Sequence, residues 1–203
     1  MLSPNGIGAD WGVPSIDTFY KEPRDVLVTR INAASKAQQE TADEFRSALE
    51  TFKSVTGFKG GDLESQFNTL NAAFDDSEDA AAQVSKKVDR VVSATNSLLE
   101  EWREELEQYH DQAIKKRAQD QFDKTRNQSE KLISTMRKAE AKTKPVLAVF
   151  RDQVLFLKHN LNMQAISSLE QESATIERDV SELIADMQKS ITEAEAFVNG
   201  LSL

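Results

Sequence analysis

The stretch "VSKKVDRVVSATNSLLEEWREEL", Val84–Leu106, decides how the rest of the chain is read. Val84, Val88, Val91, Thr95, Leu98, Trp102 and Leu106 follow one another at steps of 4, 3, 4, 3, 4 and 4 residues, with charged residues and serines between them. A half-buried strand would alternate every second residue, whereas steps of three and four keep side chains on one face of a helix. A single apolar stripe of this kind cannot be buried by its own helix. The spacing is close to the heptad that lets two helices share a seam, so the stretch implies partner helices of similar length.

Those partners are found on both sides. Upstream, Leu63, Phe67, Leu70 and Phe74 extend the same helix toward Asp62, an N-cap residue preceded by glycines in "GFKGGDLES". Between them, "FDDSED" concentrates side chains that compete for backbone partners and predicts a kink or short break near Ser77. Pro23 is suited to a first helical position, and Leu27, Ile31, Ala34, Phe45, Leu49 and Phe52 mark a helix ending near Gly57. Asp111 is placed to cap a third helix marked by Ile114, Phe122, Leu132, Met136, Val146, Phe150, Val154 and Leu157, bent at Pro145. A fourth carries Leu169, Ser173, Ile176, Val180, Leu183, Met187, Ile191, Ala194 and Val198 and stops at Gly200.

The expected spans are 23–57, 62–110, 111–159 and 163–199. The fold class is therefore all-α, an elongated antiparallel bundle of about four long helices with coiled-coil-like packing. Residues 22–200 form a single helical-bundle domain. Residues 1–21 hold two prolines, three glycines and no helical period, and read as an irregular segment pinned by Trp11, Phe19 and Tyr20.

The densest apolar run lies in "RDQVLFLKHNLN", Arg151–Asn162. If the third helix turns back here, Asn160 takes a left-handed terminal position, Asn162 caps the next helix, and Lys158 and His159 sit at a negative helix end. "VLFL" is then buried on more than one side. Two other readings are a small apolar pocket gated by His159, and one helix running unbroken through Asn162.

Charge is unevenly distributed. Residues 113–159 contain 12 Lys or Arg and 5 Asp or Glu, whereas residues 62–112 contain 4 and 13, and residues 160–203 contain 2 and 8. The plain explanation is a basic helix complemented by two acidic ones inside the bundle. The alternative is an outward basic strip for anionic lipid or an acidic partner, built from Lys115, Lys116, Arg117, Lys124, Arg137 and Lys138. A net charge of −9 and a pI near 4.9 oppose double-stranded nucleic acid.

Chemistry finds little support. The chain has no cysteine, which removes thiolate metal sites, disulfides and cysteine nucleophiles. The GxxxxGK[ST] phosphate loop is missing from "GFKGGDLES", and "DDSEDAAAQ" lacks the glycine and terminal glutamate of a calcium loop. Glu107 and His110 have the three-residue spacing found in carboxylate dimetal bundles, but the other histidine, His159, has Phe156 where a glutamate is needed. No catalytic, cofactor-binding or metal residues are assigned, and no cofactor is expected. No apolar run is long enough to span a bilayer. Read as it stands the chain starts in the cytoplasm; a chain trimmed of an export signal would look the same.

"PRDVLVTRINAASKAQQETADEFRSALETF", "GGDLES", "EEWREELEQY" and above all "AKTKPVLAVFRDQVLFLKHNLN" resemble the bacterial DUF2959 family, a domain of unknown function, over about residues 20–198. The resemblance implies a helical, coiled-coil-rich protein with no established activity and no catalytic residues to carry over. Many relatives carry an export signal and a lipid-anchoring cysteine, which this sequence lacks. Within the matching stretch Phe150, Val154, Phe156, Leu157, His159 and Leu161 read as signature core residues. The functional expectation is a non-enzymatic structural or protein-interaction module with protein partners or self-association. Peripheral contact with anionic lipid through the third helix is the alternative, and a dimetal enzyme a remote third.

Overall fold

A computed structural model describes residues 16–201, with the side chains of residues 23–170 and 172–201. The described residues form four helices: α1 (Ile16–Thr56), α2 (Leu63–Leu106), α3 (Gln112–His159) and α4 (Met163–Leu201). They contain 41, 44, 48 and 39 residues. At about 1.5 Å rise per residue the longest spans roughly 70 Å. No strand occurs among the described residues. Helix α1 packs on α2 and α4, and α3 packs on α2 and α4.

Ion pairs fix how the helices run beside one another. Arg137 of α3 meets Asp89 of α2, and Arg151, two heptads further along α3, meets Glu78, earlier on α2. Against α4, Thr135 meets Glu193 and Lys142 meets Asp186, again with later positions on α3 facing earlier positions on the neighbour.

The apolar stripes end up inside. One cluster joins Phe45, Phe52, Leu70, Phe74, Phe150, Leu157, Ile166 and Val180, and a second joins Leu27, Ile31, Val84, Val88, Val91, Leu132 and Met136. Phe52 of α1 and Phe150 of α3 meet edge to face with ring centroids 6.0 Å apart, an arrangement that suits the ring quadrupoles. Each large side chain buried in this way contributes about 1.5–3 kcal/mol.

The helix ends follow local chemistry. After Thr56 the Gly57 N–H donates to the Lys53 carbonyl at 2.9 Å, and Gly61, at φ +109°, turns the chain where a β-carbon would be strained. Asp62 then accepts from the Ser65 N–H at 3.1 Å, and Asp111 accepts from the N–H groups of Ala113 and Ile114 at 2.8 and 2.9 Å. Both are side-chain N-caps. Asn162 caps α4 by accepting from the Ala165 N–H at 3.0 Å, so α3 and α4 are separate helices.

Several expectations are corrected. Helix α1 begins at Ile16 and runs through Pro23, ahead of the start expected there. Residues 1–15, with Trp11, and the side chains of Phe19 and Tyr20 lie outside the described residues. There is no break at Ser77, because this residue is buried and its hydroxyl donates to the Ala73 carbonyl at 2.9 Å within a continuous α2. Asn160 is not left-handed (φ −133°); its N–H and side-chain amide both donate to the Phe156 carbonyl, which closes the helix without a positive φ. Helix α2 ends at Leu106, and α4 continues past Gly200 to Leu201. Ile114, expected in the core, is 47% exposed in the first turn of α3.

Candidate interaction surface

Helix α3 carries the charge asymmetry, and its cations fall into two groups according to whether a carboxylate lies within reach. With Phe122, Thr125, Ser129, Leu132, Met136 and Ala139 buried, the flanking positions point at α2 on one side and α4 on the other. Arg137 pairs with Asp89 and with Glu140, the latter at 2.8 Å. The hydrogen bond that Arg137 donates to Asp89, then the one it donates to Glu140, raises the Arg137 pKa above its ordinary value. Lys142 reaches Asp186 at 2.7 Å and Glu182 at 3.8 Å, and the hydrogen bond to Asp186 raises its pKa as well. Arg151 pairs with Glu78, and Lys115 with Glu107 at 3.1 Å. These cations are complemented inside the molecule.

The others are not. Lys116, Arg117, Lys124 and Lys138 are exposed, and none of them forms an ion pair among the described residues. The strip read from sequence therefore divides: Lys115 and Arg137 belong to internal pairs, while the remaining four face solvent. Sequence reasoning passed over Lys131, also exposed and unpaired. Its signal was available, because Arg117, Lys124, Lys131 and Lys138 stand seven residues apart and so form one row on the helix.

The apolar signature divides in the same way. Phe150, Val154 and Leu157 are buried, whereas Phe156 is 41% exposed, Leu155 is 47% exposed, His159 is exposed and Leu161 half-buried. The expected burial of all of "VLFL" and the core assignment of Phe156 and His159 are corrected: residues 155 and 156 stand roughly 100° and 200° around the helix from 154 and cannot share its face. Met163, at the start of α4, is 56% exposed. The buried members of the run, Val154 and Leu157, are packed into the core, and His159 is exposed beside them.

Glu107 and His110 do not form half of a metal site. Helix α2 ends before either residue, so the shared helical face does not exist, and Glu107 is engaged by Lys115. Among the described residues no group of three or more His, Asp or Glu is placed to hold a metal ion. A shallow groove of about 170 Å³ between α3 and α4 is lined by Gln128, Lys131, Leu132, Glu193, Ala196 and Phe197. Its one carboxylate accepts from the Thr135 hydroxyl at 2.6 Å. Among the described residues no helix is long and apolar enough to cross a membrane.

No curated protein matches the chain. The family model described as "Protein of unknown function (DUF2959)" matches residues 14–201, which takes in all four helices and both the paired and unpaired cations of α3. The chain belongs to the DUF2959 family.

Proposed function

We propose that this protein is a non-enzymatic structural and interaction module, an elongated antiparallel four-helix bundle with coiled-coil-like seams whose working parts are its outer faces. The observation that carries the reading is how the side chains are used. Most of the heptad-spaced apolar residues lie in two core clusters, and ion pairs at Lys53, Arg137, Lys142 and Arg151 bridge neighbouring helices. A rod of this kind offers long, regular surfaces and little concave chemistry.

Small-angle scattering tests the shape. A chain of 203 residues folded as a ball has a radius of gyration of about 17 Å, whereas helices of roughly 70 Å laid side by side require a maximum dimension of at least that length. A compact particle sinks the proposal. Elemental analysis of purified protein tests the absence of metal chemistry, and stoichiometric iron or manganese ends the non-enzymatic reading. For the compartment, a place in the cell envelope is part of the proposal, and fractionation of cells carrying the full gene decides it.

A further inference from the structure

We propose that the outward face of α3 is a docking surface for an anionic phospholipid bilayer. The inference deepens the interaction-module reading by naming a partner. Two observations on the same face carry it. The first is the row Arg117, Lys124, Lys131 and Lys138, exposed and without ion pairs among the described residues, with charges about 10 Å apart over roughly 30 Å. The second lies further along α3, where Phe156, five turns beyond Lys138 and in line with it, is 41% exposed, next to Leu155 at 47%, 100° around the helix, and Met163 at 56%. Ala141 and Ala148, also exposed, continue the stripe between the two groups. Acids interrupt the face at Asp120, Glu130 and Asp152.

A second copy of this chain does not fit that face through its own α3. Two α3 helices side by side in the same direction would set cations against cations. In opposite directions they would set the cationic half against Leu155 and Phe156, which offer no countercharge. An anionic bilayer uses both halves at once: the cations are attracted to headgroups, each by about a threefold to fivefold gain in binding, and bulky apolar side chains enter the interfacial layer. The acidic stretches of α2 and α4, with 13 and 8 carboxylates over residues 62–112 and 160–203, favour an orientation with α3 toward the surface.

Sedimentation of the full chain with vesicles tests this. Phosphatidylcholine vesicles containing about a third phosphatidylglycerol should carry the protein down, pure phosphatidylcholine should not, and about 0.5 M salt should release it. The triple variant Lys124→Glu, Lys131→Glu, Lys138→Glu should bind about 100-fold more weakly, Leu155→Ser with Phe156→Ser several-fold more weakly, and the control Lys36→Glu on α1 unchanged. Circular dichroism and melting curves establish that each variant is folded. The proposal is overturned if anionic vesicles leave the protein in solution, if the triple variant binds as the parent does, or if Lys36→Glu weakens binding as much. Binding to soluble polyglutamate or DNA without binding to vesicles also overturns it. Because scattering reads shape alone, a rod that ignores vesicles refutes this inference while leaving the interaction-module reading intact.

Discussion

Two faces of one helix, separated by a single residue, have opposite fates. Leu157 is fully buried against α1, α2 and α4 residues of the larger core, and Phe156 beside it stands 41% exposed. Both are large and apolar, and both come from the same run. The difference teaches that burial on α3 is set by angle about the helix axis, with hydrophobicity only permitting it. Phe150, Val154 and Leu157 keep steps of four and three, and Leu155 and Phe156 fall out of step. The cations differ by what lies within reach, since Arg137, Lys142 and Arg151 meet carboxylates of α2 or α4, while the row through Lys131 forms no ion pair among the described residues.

The comparison is broken most forcefully at Leu157. Replacement by alanine removes a fully buried side chain and should cost about 2–5 kcal/mol, read as a lowered midpoint in urea unfolding. A loss below about 0.5 kcal/mol would move Leu157 to the surface. On α1, Gln38 is the polar counterpart of this position: it is 0% exposed and neither amide atom has a hydrogen-bond partner among the described residues. An unpaired buried amide costs about 1–3 kcal/mol, so Gln38→Leu should raise the unfolding midpoint by that order. A fall instead would show that the amide has a partner. At the start of α3, Asp111→Ala removes the acceptor for two backbone N–H groups and should cost about 1 kcal/mol, with loss of protection in the first turn by hydrogen exchange. The smallest effect is the sharpest contrast. Phe156→Ala should change stability by no more than about 0.5 kcal/mol, against several for its neighbour, and equal effects at the two positions would erase the distinction between the faces.

Much of the helical order was legible because it is written in spacing. The stripes of α2 and α4, the caps at Asp62, Asp111 and Asn162, and the exit at Gly57 all rest on local chemistry that one sequence displays. What escaped depends on neighbours. A buried serine can satisfy its hydroxyl on its own helix, as Ser77 does on Ala73, so composition alone overstated a break in "FDDSED". By hydropathy the stretch "VLFL" reads as one block, although a 100° step per residue already separates its faces. Ile114 kept the apolar character of the stripe but sits in the first turn of α3, where it is left exposed. For the candidate surface, net charge per segment revealed a basic α3 yet gave no hint of which cations α2 and α4 would claim. Only the packed helices distinguish Arg137 from Lys138.

The direction in which the helices run is the claim on which the faces depend. The chain has no native cysteine, so paired spin labels can be introduced cleanly at Lys59 with Lys158 and at Lys59 with Lys116. With neighbouring helices laid in opposite directions, the two turns lie at one end, and the first pair should give a distance under about 35 Å. The second pair should give about 60 Å or more, the length of α3 between residues 116 and 158. Similar distances for both pairs, or the longer one for Lys59 with Lys158, would contradict the account.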